Sequence, residues 1–173
     1  LKDNVARKAG TMGKEENKGM EFWTQDEFQV FLECVADKPI SYYAFEMLYW
    51  TGIREGELLS LTPADFNFEK KTLRINKSYQ RLEGKDVITD PKTPKSNRTI
   101  VMPDFLAVEM ENFISSLYGI RDDDRIFTIS KSYLHHEMDR SAKLAGVKRI
   151  RIHGLRHSHI SLLINLGFSA LAI

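Results

Sequence analysis

The stretch Ile152-His153-Gly154-Leu155-Arg156-His157-Ser158-His159 places an imidazole and a guanidinium at the start of an apolar segment. His153 and Arg156 are three residues apart, so in a helix they leave the same side of the first turn. They stand beside the backbone N–H groups that a helix start leaves unpaired. A cation, an imidazole and the positive end of a helix converging on one point suit a phosphate oxygen. Taken alone the signal is weak, because a helical Arg is usually a solvated charge and such a His a packed core residue. The spacing of His153, His157 and His159 also invites a metal reading. However, no Asp, Glu or Cys lies in the neighbouring turns and cations surround the site, which argues against a metal.

Two upstream segments add cations. Arg54 follows Thr51-Gly52 at a helix start, and Lys92 sits in the polar loop Asp90-Pro91-Lys92-Thr93-Pro94-Lys95-Ser96-Asn97. The chain carries a net charge of only +1, but the charge is unevenly spread. Arg74, Lys77, Arg81, Lys85, Lys92, Lys95 and Arg98 crowd one segment, and Lys143, Lys148, Arg149, Arg151 and Arg156 another. Two basic patches on a near-neutral chain are the pattern of a one-sided polyanion-binding surface, or of ordinary solvated charge.

These residues need elements to hold them. The 173-residue length fits one domain. Leu1 to Met20 are polar and Gly-bearing, and read as a linker from a preceding domain, with the main domain over 21–173. Thr24 with Glu27 is a capping box opening a helix through Val35. Ser41 to Trp50 is apolar nearly all round, the pattern of a central core helix. A short helix carries Arg54 to Leu59, and Thr62-Pro63 caps a further turn. The period then changes. Thr72–Asn76, Val87–Thr89 and Arg98–Met102 read as strands of one small antiparallel sheet, with a turn at Glu83-Gly84-Lys85. Helices follow from Pro103 to Gly119 and from Ser130 to Gly146. The last puts Leu155, His159, Leu162 and Leu166 on one face, and another starts at Ser169. The fold class is α+β, mostly α-helical, with a small three-stranded antiparallel sheet. No apolar run has the length of a membrane span, and the single Cys34 excludes an internal disulfide. An intracellular, cytoplasmic protein is expected.

The boxes Thr51-Gly52-Ile53-Arg54-Glu55-Gly56-Glu57-Leu58, Lys92-Thr93 before Ser96-Asn97-Arg98-Thr99-Ile100, and His153-Gly154-Leu155-Arg156-His157 resemble the tyrosine recombinases, the phage and conjugative-transposon integrases and their relatives. The resemblance covers nearly all of the chain from Phe22 onward. It implies the integrase-type catalytic domain, double-stranded DNA as substrate, a homo-oligomer on DNA, and no cofactor or metal. In the implied reaction a tyrosine attacks a phosphodiester, becomes linked to the 3′ phosphate and releases a 5′ hydroxyl; another strand's 5′ hydroxyl reverses the step. Arg54 and Arg156 would clamp the nonbridging oxygens. Lys92 would protonate the leaving 5′ oxygen, a role that Lys95 and Arg98 are also near enough to hold. His153 would assist the tyrosine's proton transfer. Glu57 would orient the site from behind, or is an ordinary helix-surface carboxylate. Lys95, Arg98, Lys148, Arg149 and Arg151 are expected to contact DNA.

The sequence departs from that pattern in one place. Its tyrosines, Tyr42, Tyr43, Tyr49, Tyr79, Tyr118 and Tyr133, all precede Arg156, and the Leu-Gly-His box that leads to the nucleophile is missing. The expectation is a catalytic domain truncated before its nucleophile, unable to cleave by itself. The alternative is a noncatalytic DNA-binding relative without the tyrosine.

Overall fold

The structure, a computed structural model, describes residues 21–90 and 97–169. The expected linker, Lys92, Lys95 and residues 170–173 lie outside the described residues.

Helix α1, Gln25–Glu33, starts where local chemistry dictates. Thr24 Oγ1 accepts from the Glu27 N–H at 3.2 Å, and Glu27 Oε2 accepts from the Thr24 N–H at 2.8 Å. Its face of Phe28, Phe31 and Leu32 is buried. Helix α2, Pro39–Thr51, opens with proline at its first position, where no N–H is needed, and closes on Gly52 in the left-handed region. It is the core helix: Ala44, Phe45, Met47, Leu48 and Tyr49 are all buried. Phe28 stacks on Tyr49 with centroids 3.8 Å apart, and Phe31 meets Phe45 edge-on at 4.9 Å. Aromatic pairs of this kind add roughly 0.5–1.5 kcal/mol each beyond their burial.

Helix α3, Glu55–Leu58, is followed by a 3₁₀ turn, Pro63–Asp65, where the Asp65 carboxylate accepts from both the Thr62 N–H and hydroxyl. Strands β1 (Phe66–Asn67), β2 (Thr72–Ile75), β3 (Ser78–Leu82), β4 (Lys85–Thr89) and β5 (Arg98–Val101) come next. Then follow α4 (Asp104–Ser116), α5 (Lys131–Ala145) and α6 (Ile152–Asn165). Ser130 Oγ caps α5, and Gly146 ends it in the left-handed region. Helix α2 packs against α1, α4 and α6, so α6 is docked on the most buried element of the fold.

The strands are partitioned differently from the expected single sheet. The three-stranded antiparallel sheet has the order β1-β2-β5, so its third member is Phe66–Asn67 and not Val87–Thr89. Val87–Thr89 belongs to β4, which pairs with β3 in a separate hairpin. The reason is local: Glu83 and Gly84 both take positive φ, 49° and 79°, the two-residue turn that folds adjacent strands on each other.

The expected apolar stripe of α6 holds only at its start. Leu155 is fully buried and His159 and Leu162 half-buried, but Leu166 is exposed. The buried part of α6 is Ile152, Gly154, Leu155 and Ser158, covered partly by the segment before α1. There the Trp23 N–H donates to Ser158 Oγ at 2.8 Å. A Cβ on Gly154 would stand 3.0 Å from the Glu21 carbonyl oxygen, so this approach favours glycine.

Candidate active site

The left-handed turn at Gly52 redirects the chain at the end of α2, so that Arg54 becomes the N-cap residue of α3. One turn later Glu57 points back. Its Oε2 accepts from the Arg54 backbone N–H at 2.8 Å, and its Oε1 from Arg54 Nη1 at 3.0 Å. The Glu57 side chain is only 8% exposed while that of Arg54 is 55% exposed, so a buried carboxylate holds a guanidinium that reaches solvent.

Two more guanidiniums arrive from distant parts of the chain. The β2–β5 register pairs Ile75 with Arg98. From there Arg98 grips Glu57 with both prongs, Nη1 to Oε1 at 3.1 Å and Nη2 to Oε2 at 2.9 Å. From the start of the second turn of α6, Arg156 Nη1 donates to the Gly52 carbonyl oxygen. One turn further on, His159 fits against Gly52, where a Cβ would come within 2.5 Å of its Cδ2. The single residue Gly52 thus supplies a turn, a close approach and an anchor for Arg156.

The electrostatics follow from this geometry. Burial, then the charges of Arg54 and Arg98, lower the pKa of Arg156, with Glu57 opposing. Burial, then His157, Arg156 and Arg54, lower that of His153, which favours the neutral imidazole. The rings of His153 and His157 meet edge to face at 4.9 Å. Burial alone would raise Glu57, but the hydrogen bonds from Arg98 and the Arg54 backbone, with the Arg98 charge, hold it below the ordinary carboxylate value. Three guanidiniums near one buried carboxylate leave an excess of positive charge at a site open to solvent. That arrangement suits an anion with several oxygens.

Arg54, Arg156, His153 and Glu57 are therefore brought together, and Glu57 is a buried ion-pair partner, not a solvated surface carboxylate. Arg98 is turned into the cluster, where the sequence grouped it with outward basic residues. The signal that could have separated it is alternation: Arg98 shares a strand face with Ile100, which packs against the core. Lys148 and Arg149 lie apart, each already facing a carboxylate: Lys148 Nζ stands 3.6 Å from Glu27 and Arg149 Nε 2.7 Å from Asp139. Arg151 is the exposed N-cap of α6. Part of the central basic run is likewise committed, since Lys77 and Arg74 pair with the buried Asp65.

The hairpin β3–β4 is tied to the site by contacts that sequence reasoning missed. A Cβ on Gly56 would stand 2.5 Å from Ser78 Oγ and 3.0 Å from the Tyr79 carbonyl, so glycine in this box lets β3 lie against α3. On the other side Arg125 lies over the Tyr79 ring at 4.1 Å and pairs with Asp86 at 3.1 Å. Five of the six tyrosines are engaged elsewhere: Tyr79 donates to Asp86, Tyr133 accepts from Ser41, Tyr43 stacks on Phe113 and meets Tyr42 edge-on, and Tyr49 is fully buried, whereas Tyr118 is exposed at a helix end. Among the described residues, no group of three or more His, Cys, Asp or Glu could hold a metal ion, and no helix is long and apolar enough to cross a membrane.

Comparison with known proteins decides the family. Residues 21–173 match the model of the phage integrase family. The chain belongs to that family. Among its relatives, the ICEBs1 integrase of Bacillus subtilis is 30% identical, the match covering 95% of this chain and 47% of that protein. The integrase of Staphylococcus phage L54a is 31% identical, over 75% of this chain and 42% of that protein. The chain thus spans about half the length of the curated relatives it matches. The Tn1549 transposon integrase, solved in complex with a circular intermediate DNA, superposes with a TM-score of 0.77 at 21% identity, over 92% of this chain and 58% of that one. A lambda integrase dimer bound to a core site gives 0.63 at 16% identity, over 95% of this chain and 59% of that one. At these identities the structural likeness shows the fold: the mostly helical integrase domain with its small sheet.

Proposed function

We propose that this integrase-family domain holds the scissile phosphate in site-specific recombination of double-stranded DNA, by strand cleavage and rejoining through a 3′-phosphotyrosine. The observation that carries the reading is the convergence of Arg54 and Arg156, with His153, beside a carboxylate that positions rather than neutralises them.

Attack on a phosphodiester adds charge to the nonbridging oxygens in the transition state. Two guanidiniums whose donors are already oriented stabilise that charge without reorganising, and loss of one such donor typically costs about 10²–10³ in rate. Arg54 presents its free face outward from α3, and Arg156 presents its own from α6, braced by the Gly52 carbonyl. A neutral His153 can accept a proton from an attacking phenol or donate to a phosphate oxygen. Lys92 is the proposed acid that protonates the departing 5′ oxygen, since an alkoxide is a poor leaving group. The bond energy is held in the phosphotyrosine until another strand's 5′ hydroxyl attacks it. None of the described tyrosines is placed here in the nucleophile's role. Lys95, Arg151 and, by exchanging their carboxylate partners for phosphate, Lys148 and Arg149 are proposed as DNA phosphate contacts, and assembly of protomers on DNA and a cytoplasmic location as parts of the same reading.

The test uses the complete gene product with duplexes it selects from a randomised pool, each nicked near the bound site. The expected result is protein-linked DNA that survives detergent, disappears with protease, maps to a tyrosine, and is lost in Arg54→Ala and Arg156→Ala. Binding without any adduct would favour the noncatalytic DNA-binding reading. No binding would overturn both.

A further inference from the structure

The strand-borne arginine at the edge of the basic loop has the composition of a DNA contact, but its geometry serves another purpose. Arg98 spends both prongs of its guanidinium on the two oxygens of Glu57. Its side chain is 27% exposed, half the exposure of Arg54 at 55%. The backbone beneath it is set by the β2–β5 ladder, in which Arg74 pairs with Thr99 and Ile75 with Arg98. Glu57 Oε1 is shared, receiving Arg54 Nη1 at 3.0 Å and Arg98 Nη1 at 3.1 Å. Two cations that repel each other are thereby held at fixed positions on one anion.

We propose that Arg98 is a positioning residue for the recombination reaction, acting through Glu57 to aim Arg54 at the phosphate, and not a DNA phosphate contact. The proposal rests on the recombinase reading of this site. The logic is one of rotamers and charge. A glutamate with one partner can swing about its last torsions, whereas a glutamate held at both oxygens by a planar fork cannot. Arg54 takes its direction from that carboxylate and, being largely exposed, would otherwise sample many rotamers.

The experiment measures three quantities in the complete gene product: single-turnover cleavage at saturating DNA per active molecule, the dependence of DNA affinity on salt, and thermal stability. Arg98→Gln is expected to lower the cleavage rate by about 10²-fold, the scale of a misplaced reacting group. It should leave the salt slope unchanged. Arg98→Lys, which restores charge but not the fork, should leave most of the loss in place. Combining Arg98→Gln with Glu57→Gln should be no worse than either alone. A salt slope reduced by about 0.9, the signature of one lost phosphate contact, and restored by Arg98→Lys, would overturn the proposal. So would a normal rate per active molecule with only a lower melting temperature, in either variant. Arg54→Ala is the control: if it cleaves like the wild type, the recombinase reading of the site fails, and this inference with it. If Arg54 matters and Arg98 does not, the inference alone fails.

Discussion

Replacing Glu57 with Gln keeps the shape of the side chain and removes the one carboxylate among three guanidiniums. In the native protein its oxygens accept from Arg54 N, Arg54 Nη1, Arg98 Nη1 and Arg98 Nη2 at 2.8–3.1 Å. A glutamine retains one acceptor oxygen and turns an N–H₂ group toward a guanidinium donor. Hydrogen bonds to charged groups contribute roughly 1.5–3 kcal/mol each. Because Arg54 is largely exposed and can turn to water, the net loss at neutral pH should be about 2 kcal/mol. For a domain of this size that corresponds to a melting temperature lower by about 4–8 °C. The pH dependence carries the stricter test. The carboxyl's pKa is held below its ordinary 4.5 in the folded protein, so its contribution is present above the unfolded value and is lost as pH falls through the folded one. The gap between wild type and variant should therefore be constant from neutral pH downward and close only below about 4.5. Cleavage and binding should part company. Removing this carboxylate raises the local positive potential, so nonspecific DNA affinity stays level or rises while strand cleavage falls by about 10²-fold. Melting curves across pH, titrations of a labelled duplex and single-turnover assays measure the three. A stability gap undiminished in strong acid, or affinity and cleavage falling together, would refute the reasoning.

Three further outcomes follow from the geometry. Gly52→Ala places a Cβ at positive φ and 2.5 Å from the His159 ring, and should cost about 2–3 kcal/mol with weaker DNA binding through displaced Arg156; an unchanged melting temperature would show that the turn is not needed. The His153 pKa is depressed by burial and neighbouring cations, so DNA phosphate should raise it and binding should take up a proton; affinity should rise as pH falls below about 6.5, and anisotropy titrations of His153→Gln should show a flatter dependence. Burial and the charge of Glu109 push the Glu46 pKa up to about 7, so its favourable contribution is complete below the unfolded value and is lost as pH rises through about 7; Glu46→Gln should stabilise the protein by about 1–2 kcal/mol at pH 8, with little change at pH 5, when measured by chemical denaturation.

Much of this molecule is determined by interactions within a few residues, and these could be read directly from the sequence. Thr24 with Glu27, Ser130, Gly146 and the Thr62–Asp65 pair set element ends because each cap satisfies backbone groups three or four positions away. The apolar pattern of α2 marked the core helix for the same reason. The spacing of His153 and Arg156 gave only a weak signal, and the resemblance of three boxes to the tyrosine recombinases joined Arg54 to them. What lay beyond reach was every decision made by partners distant in the chain. Phe66–Asn67 joined the sheet in place of Val87–Thr89, because a two-residue turn at Glu83-Gly84 pairs β4 with its neighbour β3 in a hairpin. Lys77, Arg74, Lys148 and Arg149 each met a carboxylate on another element, a pairing that their runs in the sequence do not show. Arg98 found Glu57, 41 positions away, only because the register of β2 with β5 turned it inward. The sequence alone determined which cationic residues the chain has to offer an anion. Tertiary structure decided which cations remain available for one, because the partner of a charged side chain depends on how non-adjacent elements dock.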